Sequence, residues 1–246
     1  MEKPANLPRA SQVRSALQAA ANPAKAKVLL RFFKTGPGPY AEGDQFLGVV
    51  VPEQRIIAKL FADLRETEVL TLLRSKIHEE RLTALLILVR QYKFGNQRRK
   101  RRIVSAYLKH KAYIDNWDLV DLSAPQILGD WLLDKDRRIL FKLAKSRRIW
   151  DRRISMLATF AFICAGESRD TLALAEILLL DEHDLIHKAV GWMLREVGKR
   201  IGTDPLKSFL TQHAAAMPRT ALRYAIEHFP ERERKKWLAT PQRPKG

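Results

Sequence analysis

Trp117 and Asp121 stand four residues apart in NWDLVDLSAP (116–125), with Asp118 between them. On a helix this spacing sets an indole face beside a carboxylate, a pairing whose chemistry suits a positively charged group. Asp118 has a plainer reading, as a helix N-cap or a first-turn charge at the positive end of the helix dipole. Asp121, between Val120 and Leu122, is less easily explained as a cap. In RRIWDRRISML, Trp150 and Arg153 lie three apart at a helix start, and in HKAVGWMLRE, Trp192 lies within an apolar helix. Each has a structural alternative: tryptophan in an apolar stripe is ordinarily core, and Arg153 reads as a surface ion-pair partner. His183 and His187 share a helical face in EHDLIH without an obvious third ligand, so they read as surface or capping histidines rather than a metal site. The chain carries no Gly-rich phosphate loop, no nucleophile elbow and no cysteine pair for zinc.

The setting of this acidic, aromatic island is basic. Lys plus Arg number 45 against 27 Asp plus Glu in 246 residues, a formal net charge of +18. Such an excess attracts polyanions, of which nucleic acid is the commonest. A membrane surface is the competing polyanion, but no apolar run of about 18 residues exists and MEKPANLPRA lacks a signal-peptide core. The one cysteine, Cys164, lies in the apolar run MLATFAFICA and reads as a core filler; it allows no intrachain disulfide, which suits a reducing cytosol. The expectation is a soluble, cytoplasmic protein. Basic clusters recur in NQRRKRR (96–102), DKDRR (134–138), KSRRIWDRR (145–153), GKR (198–200) and RERKK (232–236). Any single cluster reads as a solvated helix end, but five along one chain suggest successive phosphate contacts. Arg98, Arg99, Lys100, Arg101, Arg147, Arg148, Arg152 and Lys188 are the candidates for the backbone of DNA.

Helices must position these residues. Apolar positions recur at three and four in LFADLRETEVLTLLR (60–74) and ERLTALLILVRQY (80–92), and glycines and prolines fall between such runs. FLGVVV is expected to be extended for a few residues, with Pro52 at the first position of the next helix. TDPL and the Asp before each turn read as helix N-caps. A basic residue recurs at the head of amphipathic helices at Arg81, Arg153, Lys188 and Arg219, spaced 72, 35 and 31 residues apart. A period near 36 with two helices per unit predicts an all-α, HEAT-like superhelical solenoid with a basic concave face. One domain is expected over 1–238, with 1–20 a peripheral N-terminal helix and 239–246 a loose tail; a monomer is expected.

Three segments together carry a family resemblance: W-D-x-V-D at Trp117 to Asp121, I-W-x-x-R at Ile149 to Arg153, and K-A-x-G-W-x-L-R-E at Lys188 to Glu196. FLGVVVPEQR (46–55) and RFFK (31–34) extend it, so that it spans roughly residues 22 to 230. The chain resembles the AlkD-like family of DNA alkylation repair glycosylases. The resemblance implies removal of cationic N3- and N7-alkylated purines from double-stranded DNA, without metal or cofactor. It implies Asp121 as the catalytic carboxylate, Arg153 as a phosphate holder near the lesion, and Trp117 and Trp192 as aromatic walls. Phe32 and Phe33 stand where a tyrosine is expected, Asn116 precedes Trp117, and the 35–45 loop is longer than usual; these departures bear on lesion preference rather than on catalysis. The rival readings are a non-catalytic solenoid binding damaged or branched DNA, a protein-interaction scaffold and an RNA binder.

Overall fold

The computed structural model describes residues 8–33 and 41–241. Residues 1–7 of the expected N-terminal segment, most of the 35–45 loop and 242–246 of the tail lie outside the described residues. The helices are α1 (Ala10–Ala19), α2 (Pro23–Phe32), α3 (Val51–Leu60), α4 (Glu66–Leu73), α5 (His78–Lys93), α6 (Gln97–Lys109), α7 (Trp117–Asp121), α8 (Arg138–Ala144), α9 (Ile149–Ala158), α10 (Phe160–Cys164), α11 (Arg169–Leu178), α12 (Asp184–Arg200), α13 (Thr203–His213), α14 (Arg219–Ala225) and α15 (Glu231–Leu238). A 3-10 turn covers Lys111–Tyr113 and a π-helical turn Pro125–Gly129. An isolated parallel bridge joins Gln45 and Ile77, and no strand occurs among the described residues. The chain is therefore all-α, as expected. Helices pack largely on near neighbours in sequence, α4 on α5, α8 on α9, α11 on α12 and α12 on α14, which is how stacked helix pairs build an α-solenoid. The chain divides into two compact units, 1–123 and 124–246.

In the first unit α5 is the central helix, packed by α1, α3, α4, α6 and α7. Leu82, Leu85, Ile87 and Leu88 are fully buried, and even its polar first turn, His78 to Arg81, is buried. Buried polar groups need partners, and here they organise the loop before α3. The Glu79 carboxylate accepts the backbone N–H groups of Leu47, Gly48 and Val49 at 2.8–3.3 Å. The FLGVVV stretch is thus held non-helical by a carboxylate rather than by strand pairing. Gly48 lies at φ +84°, and a Cβ there would overlap the Asn22 carbonyl oxygen; only glycine lets α2 start against this loop. α3 begins at Val51, which makes Pro52 its second residue, one later than expected. α1 buries Ala10, Val13 and Leu17 against α3, α4 and α5.

In the second unit α12 is central, packed by α9, α11, α13 and α14. The apolar run MLATFAFICA does not continue as one helix. It breaks at Thr159, whose hydroxyl donates to the Met156 carbonyl at 2.7 Å, and restarts as the short α10. Cys164, at the end of α10, is exposed, not the core filler expected. The capping expectation also changes. Side-chain caps are supplied by Asn22, Asn96, Asn116 and His183, while Asp118, Asp151, Asp170, Asp184 and Asp204 lie inside first turns. There they face the positive end of the helix dipole. In TDPL the cap is Gly202, and Thr203 opens α13.

Candidate functional site

α7 is a single turn that sorts three side chains. Asn116 caps it, its Oδ1 accepting the Trp117 backbone N–H at 2.8 Å, while its amide donates to Asp44 Oδ2 at 3.3 Å. Leu119 and Val120 are fully buried and anchor the turn. Asp118 is the first-turn charge, not the cap, and it is 6% exposed. Its Oδ1 accepts the Leu119 N–H and its Oδ2 meets His78 Nε2, both at 2.8 Å. Trp117 and Asp121, four apart, are both partly exposed. Of the two carboxylates, one is therefore built into the interior and the other is partly exposed, one helical turn from the indole.

The Trp117 ring belongs to an aromatic cluster. It stacks on Phe33 at 5.3 Å between centroids and meets Phe32 edge-on at 5.8 Å. Phe33 stacks in turn on Phe46 at 5.1 Å, and the His78 ring lies 4.7 Å from Phe46 and 4.9 Å from Phe33. Phe33 is buried, whereas Phe32 is 60% exposed, so the two phenylalanines that replace an expected tyrosine support and flank Trp117. Below them His78 Nδ1 contacts Asp44 Oδ2 at 3.1 Å, and Arg81 Nη2 reaches Asp44 Oδ1 at 2.6 Å and Asp115 Oδ1 at 3.3 Å. Burial works against a charge on His78, but the Asp118 and Asp44 carboxylates outweigh it and raise its pKa to about 9. Burial likewise opposes the charge on Asp44, and His78 and Arg81 together hold it below the usual carboxylate value. Of this network, sequence reasoning singled out Arg81 as a repeat marker, Asp118 as a cap or first-turn charge, and Asn116, Phe32 and Phe33 as departures from the family pattern. His78 and its meeting with Asp44 and Asp118 have no local signal, because that meeting depends on three separate segments.

In the second unit Trp150 is core, at 5% exposure. Arg153 does not lie at the surface, as expected of an exposed partner, but inside: it is 4% exposed, and its Nη1 donates to the Leu185 carbonyl at 2.5 Å, joining α9 to the first turn of α12. Trp192 is partly exposed, its indole N–H donates to Glu196 Oε1 at 3.3 Å, and its ring lies 6.4 Å from Phe160. Burial raises the Glu196 pKa, but Arg200, Trp192 and Arg195 together hold it below the usual carboxylate value. Gly191, one residue before Trp192, is where α14 approaches: a Cβ there would lie 2.5 Å from the Ala221 carbonyl oxygen.

The backbone-binding candidates fall into two groups. Arg98, Arg99, Arg101 and Arg147 are exposed and have no ion pair among the described residues. Arg98 and Arg99, with Arg65 and Arg102, line a crevice of about 820 Å³ that also contains Asp63 and Glu66. Lys100 lies over the Tyr92 ring at 4.7 Å. Arg148 pairs with Asp151 at 3.2 Å, Arg152 with Asp181 at 2.5 Å, and Lys188 with Asp184 at 2.7 Å. His183 caps α12, its Nδ1 accepting the Leu185 N–H at 3.1 Å, as the capping reading expects, whereas His187 lies within α12 and bonds the Asp181 carbonyl in the preceding loop. No group of three or more His, Cys, Asp or Glu among the described residues is placed to hold a metal ion, and no described helix is long and apolar enough to cross a membrane.

Similarity to known proteins agrees with this geometry. No curated protein matches the chain in sequence. A solved structure, described as a predicted DNA alkylation repair enzyme from Enterococcus faecalis, superposes with a TM-score of 0.66 at 15% identity, covering 86% of this chain and 97% of its own; at that identity the likeness is one of fold. The family model for DNA alkylation repair enzyme matches residues 13–229, which gives the protein a role in DNA repair and DNA as its partner. Over most of its length, therefore, the chain belongs to the DNA alkylation repair enzyme family.

Proposed function

We propose that the protein is a monofunctional DNA glycosylase that hydrolyses the N-glycosidic bond of cationic N3- and N7-alkylated purines in double-stranded DNA, acting as a cytoplasmic monomer. The observation that carries this reading is the make-up of α7: Trp117 and Asp121 stand one helical turn apart and are both partly exposed, while Asp118 is buried against His78. Alkylation leaves the purine positively charged and already a good leaving group. As the bond from C1′ to the base breaks, its electron pair goes to the purine, which departs neutral, and the positive charge moves onto the sugar. A carboxylate beside that sugar stabilises the charge and orients a water for attack on C1′. The water proton passes to Asp121 or to solvent, and an abasic sugar remains. Water is the sole co-reactant.

The indole faces of Trp117 and Trp192 favour a cationic nucleotide by about 0.5–2 kcal/mol each. Arg153 would hold a flanking phosphate, its guanidinium offering a planar fork of donors to the phosphate oxygens. Arg98, Arg99, Lys100, Arg101, Arg147, Arg148, Arg152 and Lys188 remain the proposed backbone contacts. The test is release of N7-methylguanine from duplex DNA in EDTA by wild type and Asp121→Asn. Release by wild type, with a loss of two to four orders of magnitude in the variant and unchanged duplex affinity, is expected. Equal release by both would remove Asp121 from the chemistry. Salt-sensitive binding without release by either would make the protein a DNA binder rather than an enzyme.

A further inference from the structure

We propose that His78 is a positioning residue: clamped between Asp44 and Asp118, its ring holds the first turn of α7 and the aromatic stack in one register, so that Trp117 and Asp121 are presented together. The proposal rests on the reading of Trp117 and Asp121 as the site. Four segments of the first unit meet at this ring: the loop before α3 through Asp44 and Phe46, the residue after α2 through Phe33, the first turn of α5, and α7 through Asp118. His78 is 2% exposed, and both of its nitrogens face a carboxylate oxygen, at 3.1 and 2.8 Å. A neutral imidazole has one donor and one acceptor, so only the doubly protonated ring satisfies both contacts.

The charges around the ring are few and identifiable. Asp44 and Asp118 face it directly, Arg81 stands behind Asp44, and Asp115 lies beyond Arg81. The neighbouring acids on α5 are directed elsewhere, Glu79 to the amides of residues 47–49 and Glu80 to Arg14. Loss of the His78 proton would set a ring lone pair against one carboxylate within about 3 Å, in surroundings too buried for water to screen it. Asp118 is the partner that links the ring to the site, because it adjoins Trp117 on the single turn of α7. Relief of that repulsion would move Asp118, and with it the Trp117 indole against Phe33. His78 touches neither the lesion nor the water in this account; it acts through α7.

The experiment follows the full-length protein by NMR, with ¹⁵N-labelled histidine and tryptophan, from pH 6 to 10.5. The Trp117 indole signal is assigned by its absence in Trp117→Phe. In wild type the His78 ring and the Trp117 indole should titrate together, with a midpoint near 9. In Asp118→Asn both midpoints should fall together by at least one unit, and in His78→Gln the Trp117 transition should vanish. Should Asp118→Asn not fold, Asp44→Asn serves the same purpose. A His78 ring that is neutral at pH 7.5, or a Trp117 signal that ignores the His78 titration, overturns the proposal. Base release from N7-methylguanine duplex, measured in parallel, should lose kcat with the same alkaline midpoint and shift with it in the variant. A packing role alone would lower all rates without moving that midpoint. If no base is released at any pH while the two titrations stay coupled, the glycosylase reading fails and the positioning of Trp117 stands.

Discussion

At the scale of residues, environment separates side chains that look alike in the sequence. Asp118 and Asp121 are three apart on one turn, yet one is buried against a histidine and the other is partly exposed. The histidines divide in the same way. His78 is raised to about 9 by Asp118 and Asp44 despite its burial, whereas burial lowers His183 below its ordinary value. Their effects on stability therefore have opposite signs. In the folded protein His78 holds its proton between its unfolded pKa of about 6.5 and about 9, so its contribution is complete below 6.5 and is lost as pH rises through 9. His183 favours the neutral form, and its contribution is present above about 6.5 and lost as pH falls. Urea unfolding at pH 6.5, 8 and 9.5 should show stability falling by a few kcal/mol across the range, with a shallower fall in Asp118→Asn. A flat wild-type profile would show that His78 is not charged in the folded state.

At the scale of elements, the repeat-marking basic residues turn out to be connectors rather than a surface stripe. Arg81 bonds the Ser75 carbonyl and Asp44, Arg153 the Leu185 carbonyl, and Arg219 the carbonyls of Leu238 and Thr240. Three of the four recurring positions thus tie one helix to a neighbouring segment, a physical reason for a regular spacing. The approach of α12 to α14 depends on Gly191, where any Cβ would meet the Ala221 carbonyl oxygen and the Tyr224 Cβ at 2.5 Å. Backbone is on one side of that contact, so the helices must separate. Gly191→Ala should lower stability by about 1–3 kcal/mol, the usual range for overpacking. It should also weaken DNA binding through Trp192, the next residue. Thermal unfolding checks the first effect, and a melting temperature equal to wild type would refute the close packing.

At the scale of the whole molecule, a net charge of +18 predicts salt-dependent binding to any duplex, damaged or not. The eight candidate cations do not contribute equally. Arg98 and Arg99 are exposed and have no ion pair among the described residues, while Arg152 is committed to Asp181 and to two backbone carbonyls. Replacing Arg98 and Arg99 with alanine should make the slope of log K against log salt shallower by up to about 2, near 0.9 for each phosphate that is no longer neutralised. Arg152→Ala should instead lower stability, because the Asp181 side chain, only 7% exposed, loses its ion-pair partner. Titration of an undamaged duplex with potassium chloride separates the two; equal slopes in wild type and the double variant would exclude the α6 cluster from the DNA interface.

What the sequence by itself determined is local or statistical. The all-α class follows from apolar residues at three and four. The attraction to polyanions follows from the charge count, and the pairing of Trp117 with Asp121 from a spacing of one helical turn. These properties reside in neighbouring residues, so no long-range contact is needed to read them. Tertiary structure decided the rest. The exposure of Cys164 depends on which faces of a largely apolar run find partners, and the run itself is ambiguous about its buried side. The burial of Arg153 depends on α12, more than thirty residues away in sequence. The His78 cluster is the clearest case: Asp44, His78 and Asp118 are spread over 75 residues, and only packing of the loop before α3, α5 and α7 brings their charges within hydrogen-bond reach. A carboxylate's role is set by what it faces, and that is a property of the fold.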